Sequence, residues 1–288
     1  MASDLLSLLR PSQWIKNAFV LAPLVFSQRI FEEGRAGAAL WACLAFCLAS
    51  SASYVFNDII DRRRDAVHPL KRDRALASGR VASRLAYALT GVLALVSLAM
   101  ARALGPGFIA VLGAFLALQV AYSLWLKEAV LVDATAISGG FLLRTLGGVL
   151  AVGARMSAWL FLCTFLLAMF LALAKRRHEI VLLGSGAEQH RGVLGRYSAT
   201  LLDQVLTVLA ATTIAAYTAY SMWPGVAENL GTTRLYLTVP FVVIGLLRYL
   251  FLVHGRAEGE PTTVLLADLP LQTSIVLWLA AVFALLYG

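Results

Sequence analysis

Asn57, Asp61 and Asp65 stand four residues apart in the run Asn57-Asp58-Ile59-Ile60-Asp61-Arg62-Arg63-Arg64-Asp65. On a helix that spacing stacks three oxygen-bearing side chains on one face, a turn apart. Such a stack suits a hard divalent cation, and Mg²⁺ would complete its shell with waters and phosphate oxygens. Asp58 points off this face and ranks below the other three, as an auxiliary contact to substrate. The bland alternative is a solvated helix end whose carboxylates balance the neighbouring arginines. The continuation argues against it: His68, Pro69, Leu70, Lys71, Arg72, Asp73 and Arg74 follow, then Ala77-Ser78-Gly79. Carboxylates that hold a metal, set beside several lysines and arginines, are what gripping a diphosphate requires. A preference for cations on one side of a membrane would explain the basic residues here, but not the regularly spaced acids.

The elements that must position these groups are apolar. Of 288 residues, 60% are hydrophobic and only 14% charged, which a soluble domain does not need and a polytopic membrane protein does. Crossing the hydrocarbon layer takes about 20 apolar helical residues. Nine such stretches are expected, near 17–31, 36–56, 85–104, 107–126, 129–151, 157–174, 200–223, 235–254 and 270–287. The expected fold is therefore all-α and polytopic, with about nine transmembrane helices around a polar cavity that faces the cytoplasm. No Pro-, Gly- or Ser-rich linker divides the chain, so residues 1–288 read as a single catalytic domain. The amino terminus does not resemble a cleavable secretion signal. The net charge of +8 does not indicate nucleic acid, because its distribution follows the positive-inside rule. With the amino terminus in the cytoplasm, 17 of the 24 cations fall on that side. Both long polar loops, 57–84 and 175–199, then face the cytoplasm from an inner or plasma membrane. They follow the second and the sixth expected spans, four apart, which hints at duplication of a four-helix unit. Cys43, Cys47 and Cys163 lie inside spans without a metal-ligand pattern and read as small helix residues.

Charges within the spans are costly and normally face a polar cavity or a partner. Arg144 is read as a contact for substrate phosphate, with a structural ion pair as the alternative. Asp133, eleven residues earlier on the same face, suits either a functional role or a helix end. Arg248 is weighed in the same way, with a wet end of its span as the bland alternative to a functional role. The Gly139-Gly140 and Gly147-Gly148 pairs are expected to permit close helix packing. In the second loop Lys175, Arg176, Arg177, His178 and Glu179 form a run with one acid, where Lys175 and Glu179 are four apart.

The pattern NDxxDxxxD followed by HPxKxxRxxxSG resembles the signature of the UbiA-type prenyltransferases, intramembrane enzymes of nine helices that act on polyprenyl lipids with Mg²⁺. Arg10 to Asn17, RPSQWIKN, resembles the amino-terminal motif of that family. Tyr122 to Lys127, YSLWLK, and Gly140 to Arg144, GFLLR, resemble its middle section. Aromatic prenyltransferases of the superfamily carry a second DxxxD in the later loop, where this chain has KRRHE. That departure, with Arg196-Tyr197-Ser198, the stretch from Tyr236 containing Arg248, Gly259-Glu260-Pro261 and LPLQ from Leu269, is similar to the polyprenyl-phosphate phosphoribosyltransferase branch, typified by decaprenyl-phosphate phosphoribosyltransferase.

The resemblance implies Mg²⁺-dependent transfer of 5-phosphoribose from 5-phosphoribosyl diphosphate to a polyprenyl phosphate, releasing diphosphate, in the supply of an arabinose donor for cell-envelope polysaccharide. Asn57, Asp61 and Asp65 would hold the metal on the leaving group. The acceptor is already anionic, so the need is for cations rather than a strong base. Lys16, Lys71, Arg72, Lys127, Arg144, Lys175 and Arg177 are the candidates, and Glu179 would meet a ribose hydroxyl or orient a lysine. Expected partners are the two substrates and membrane lipids, with self-association into a homo-oligomer left open and nucleic acid excluded. Two other readings are carried: an aromatic prenyltransferase using a polyprenyl diphosphate, and a transporter whose pathway would involve Asp133, Arg144 and Arg248.

Overall fold

The computed structural model of the protein describes residues 2–69, 71–183, 192–255 and 261–288. Leu70, Gly259 and Glu260, which figure in the sequence reading, lie outside them, as do residues 184–191 of the expected second loop. Among the described residues there are helices and turns and no strand. The α-helices are α1 (Ala2–Leu9), α2 (Ala22–Phe26), α3 (Arg35–Ala66), α4 (Ser83–Ala101), α5 (Pro106–Leu124), α6 (Val132–Val152), α7 (Ala158–Leu183), α8 (Ala199–Met222), α9 (Pro224–Leu230), α10 (Val239–Gly255), α11 (Pro261–Ala267) and α12 (Leu269–Tyr287). Eight helical stretches are long and apolar enough to cross a membrane: α3, Ser83–Leu104, α5, α6, α7, α8, Leu235–Gly255 and α12. The protein is a multi-pass membrane protein. The first of the nine expected spans, 17–31, is not a continuous helix. A 3₁₀ helix, Pro11–Val20, runs into the five-residue α2, and Gln28 then takes a left-handed φ of 58°. A 3₁₀ segment rises about 2.0 Å per residue with poorer hydrogen bonds; here Asn17 and Val20 are its buried residues.

The chain forms two compact units, Met1–Leu24 with Arg29–Arg155, and Val25–Gln28 with Met156–Gly288. Each holds four of the eight spans, and each begins its set with its longest one, α3 of 32 residues and α7 of 26. About 20 residues suffice to cross the hydrocarbon, so the last turns of α3 extend beyond it, where charged side chains meet water or headgroups. That length is why Asn57 to Asp65 remain on one helix.

Lipid tails are as apolar as leucine, so helices in a membrane associate through close packing rather than hydrophobic expulsion. In the first unit α3 accordingly buries small residues, among them Ala39, Ala42, Ala45, Ala49 and Ala52. Phe46 fills the space they leave and meets Phe108 and Phe115 edge-on, with ring centroids 5.8 and 5.4 Å apart. The Gly147-Gly148 pair of α6 acts as the sequence suggests. A Cβ on Gly147 would lie 2.4 Å from Phe46, and one on Gly148 would lie 2.0 Å from the backbone oxygen of Val20. Gly148 is thus what lets the amino-terminal 3₁₀ segment lie against α6. We expect Gly148→Ala to destabilise the protein by about 2 kcal/mol, since backbone cannot yield as a side chain can. Thermal unfolding in detergent measures it, and an unchanged midpoint would contradict this packing.

The second unit is organised by aromatics and by capped helix ends. Tyr217 shares a hydrogen bond of 2.7 Å with Thr238 and accepts another of 2.9 Å from Trp278 Nε1. Trp159, Tyr220 and Trp223 cluster at the start of α7 and the end of α8, as interfacial aromatics do. Gln28 donates from Nε2 to the backbone oxygens of Leu230 and Leu286, satisfying carbonyls that the ends of α9 and α12 leave open. Ser198 and Asp268 accept from the backbone of Leu201 and Leu271, capping α8 and α12.

Candidate functional site

The carboxyl-terminal turns of α3 carry the triad, and the helix is unbroken through it. Asn57 donates from Nδ2 to Asp61 Oδ2 at 3.0 Å, so the two side chains meet as the four-residue spacing requires. The oxygen of the same amide, Oδ1, is buried and has no hydrogen-bond partner. A buried acceptor without a donor costs about 1–3 kcal/mol, and such an atom invites a ligand. Asp61 Oδ1 accepts from Lys127 Nζ at 2.6 Å. Lys127 is itself only 6% exposed, held in a 3₁₀ turn, Leu126–Glu128. One helical turn beyond Asp61, Arg64 pairs with Glu128 at 2.5 Å. Two ion pairs therefore fasten this turn to α3.

Asp65, the third member, is 5% exposed and takes Arg74 Nη1 on Oδ2 at 2.7 Å. Asp58 is 3% exposed and receives both Arg10 at 2.5 Å and Arg74 at 3.2 Å on Oδ1. Asp58 therefore anchors the loop that follows α3 as well as the amino-terminal segment. Arg10 reaches it from a left-handed backbone, φ 50°, a conformation that costs a non-glycine residue energy and persists where surroundings impose it. Lys71 is half-buried in the same loop, while Arg72 points outward, its nearest acid being exposed Asp73 at 4.0 Å. Arg74, the arginine of the HPxKxxR pattern, turns inward to Asp58 and Asp65. The loop is also tied to α1, where Arg80 pairs with Asp4 at 2.9 Å and holds that carboxyl below the usual carboxylate range.

Whether these groups fit Mg²⁺ turns on the donor set. Among the described residues, no three His, Cys, Asp or Glu side chains gather as metal ligands. The first turn of the triad nevertheless offers an amide oxygen with nothing bonded to it beside a carboxylate, both of the hard oxygen type that Mg²⁺ takes. Mg²⁺ is typically bound through one or two protein carboxylates with waters and phosphates completing the octahedron. The residues fit on that footing, with Asn57 and Asp61 as the nucleus.

Arg144 lies in the middle of α6. It is 4% exposed, and its partners are neutral oxygens and rings. Nε donates to Asn17 Oδ1 at 2.7 Å, Nη1 to the Gly140 carbonyl at 3.1 Å and Nη2 to Ser50 Oγ at 3.1 Å. Phe115 lies 4.5 Å from its Cζ. Asn17 completes the network by donating to Cys47 Sγ at 3.2 Å. With Trp14 donating to Ser51 at 3.0 Å, these bonds fix the 3₁₀ segment along α3 and α6, and half-buried Lys16 sits within that segment. Asp133 is fully buried in the first turn of α6, where the helix dipole favours an acid.

In the second unit Lys175 and Glu179 are half-buried on α7. Glu179 pairs with Arg176, which is 1% exposed and was not singled out from the sequence. Arg177 donates to Asp203 at 2.6 Å and to the Val253 carbonyl at 2.5 Å, a clasp joining α7, α8 and α10. Arg248 grips Asp268 with two bonds of 3.1 and 2.8 Å, a bidentate pair.

Eight apolar helices, with the oxygen donors and cations gathered where the longest leaves the apolar layer, describe a membrane-embedded enzyme. Residues 18–278 match the UbiA prenyltransferase family, and the chain belongs to that family. Over its whole length it is 33% identical to the decaprenyl-phosphate phosphoribosyltransferase of Mycolicibacterium smegmatis, covering 93% of that protein. It is 33% identical to the protein of the same name from Mycobacterium tuberculosis, over 99% of this chain and 94% of that one. In fold it is similar to a UbiA homologue from Archaeoglobus fulgidus bound to GPP and Mg²⁺, with a TM-score of 0.75, 20% identity, and coverage of 99% of this chain and 100% of that one.

Proposed function

We propose that this enzyme transfers 5-phosphoribose from 5-phosphoribosyl diphosphate to a polyprenyl phosphate at the cytoplasmic side of the membrane. The observation that carries the reading is the buried, partnerless Asn57 Oδ1 beside Asp61, set among the cations Lys127, Lys71 and Arg74. The names of relatives similar over the full length support the choice of substrates. Asn57 and Asp61 would hold Mg²⁺, with Asp65 adjoining. Bound there, the metal supplies positive charge to the diphosphate as it leaves. The chain's own cations meet the remaining anionic oxygens. The anomeric C–O bond to diphosphate breaks and a bond from C1 to an oxygen of the lipid phosphate forms. That oxygen is already ionised near neutral pH, so no general base is needed. Asp58 and Asp65 hold Arg74, and with it the loop bearing Lys71, in a fixed place. Lys175 and Glu179 remain candidate contacts to donor by resemblance, whereas Arg177 is already bonded to Asp203 and Val253.

The aromatic prenyltransferase reading wants a second pair of acids in the later loop. Glu179 is there but engaged with Arg176. A transport pathway gains no support from Arg144 or Arg248, whose guanidinium groups are held by protein groups. Purified protein in detergent, given Mg²⁺, a polyprenyl phosphate and either labelled phosphoribosyl diphosphate or a prenyl diphosphate with an aromatic acceptor, is expected to form product only from the first pair. Lipid product from the second pair alone would transfer the assignment to the rival chemistry.

A further inference from the structure

Resting on the reading of Asn57 and Asp61 as metal ligands, we propose that Lys127 is a stand-in for the metal: its ammonium occupies Asp61 when the site holds no diphosphate and must leave before a divalent cation can bind. Both oxygens of Asp61 are engaged, Oδ2 by the Asn57 amide at 3.0 Å and Oδ1 by Lys127 Nζ at 2.6 Å. A Mg²⁺ ion sits about 2.1 Å from its oxygens. Sharing Oδ1 would bring it within about 5 Å of the ammonium, and two like charges that close, partly shielded from water, repel strongly. The lysine and the metal are therefore alternatives on one carboxylate.

The surroundings keep Lys127 in this place. The side chain is 7% exposed, and the turn bearing it is closed by the Arg64–Glu128 pair. It is followed by Leu131 in a left-handed conformation, φ 64°. An incoming diphosphate changes the balance because its oxygens give the displaced ammonium a new anion and the metal new ligands. Metal and diphosphate would then enter together, and free cation alone would bind weakly. Lys127 is on this account both a guard of the empty site and a contact to the donor once it is filled.

The test is binding of Mn²⁺, without substrate, to the full chain in detergent, followed by electron paramagnetic resonance. Lys127→Met is expected to bind Mn²⁺ about tenfold more tightly than the unaltered protein, and Lys127→Gln to do likewise. Lys127→Arg, which keeps the charge, is expected to bind as weakly as the unaltered protein. Equal or weaker binding by both neutral variants would overturn the stand-in role. Asp61→Asn separates the two claims. If Mn²⁺ binding persists in it, or if none of the proteins binds the ion, the metal reading itself fails. If binding requires Asp61 yet ignores Lys127, the metal reading stands and only this inference falls.

Discussion

Asp61→Ala is expected to lower turnover by about a thousandfold or more, the scale on which removing a group that stabilises transition-state charge acts. Asp61 is the one residue that joins the two halves of the proposed chemistry. It bonds Asn57 on one oxygen and Lys127 on the other, so its loss removes a metal ligand and releases the lysine. The same substitution leaves the buried Lys127 ammonium without that carboxylate, which lowers stability as well. Asp61→Asn controls for this, because it keeps the shape and an acceptor while removing the charge. Both variants should lose activity alike, and Asp61→Asn should keep more of the thermal midpoint. Turnover in Asp61→Asn within tenfold of the unaltered protein would remove Asp61 from the metal site.

Arg144→Met is the second large effect, on stability first. The guanidinium is buried and makes three hydrogen bonds that join α6, α3 and the amino-terminal 3₁₀ segment. Bonds from a charged donor contribute about 1.5–3 kcal/mol each, although they do not simply add. A loss of about 3 kcal/mol is expected, visible as a fall in unfolding midpoint in detergent. Arg144→Lys should recover little, because a single ammonium cannot span Asn17, Ser50 and Gly140 from one position. Activity should fall with stability, since the segment released carries Lys16. A variant that kept its full stability and lost only its affinity for the lipid phosphate would restore the direct phosphate contact read from the sequence.

Much of the site was legible because it depends on spacing along one helix. Asn57, Asp61 and Asp65 share a face for the same reason that any residues four apart do, and α3 continues unbroken through them. The glycines of α6 were legible too, since small residues at a membrane interface have few other uses. What could not be read was which cation meets which acid. Arg74 and Arg72 lie two residues apart in an irregular loop, and nothing local says that Arg74 turns inward to Asp58 and Asp65. Asn17 and Arg144 are 127 residues apart, and Arg248 finds Asp268 20 residues further along the chain. The stretch 17–31 misled for a related reason. Apolar composition reports that a segment avoids water, not whether it crosses the membrane as one helix or folds against its neighbours.

By itself, then, the sequence determined a polytopic helical protein, the oxygen donors on one helix face and the wealth of cations beside them. Those properties follow from hydropathy and from 3.6 residues per turn, both of which act over short distances along the chain. The tertiary structure decided that Lys127 closes on Asp61, that Arg144 supports the fold from a neutral seat, and that Arg177 and Arg248 fasten helices together. An ion pair forms where packing brings two side chains within a few ångströms, and that distance is set by the whole arrangement of helices rather than by any stretch of the chain.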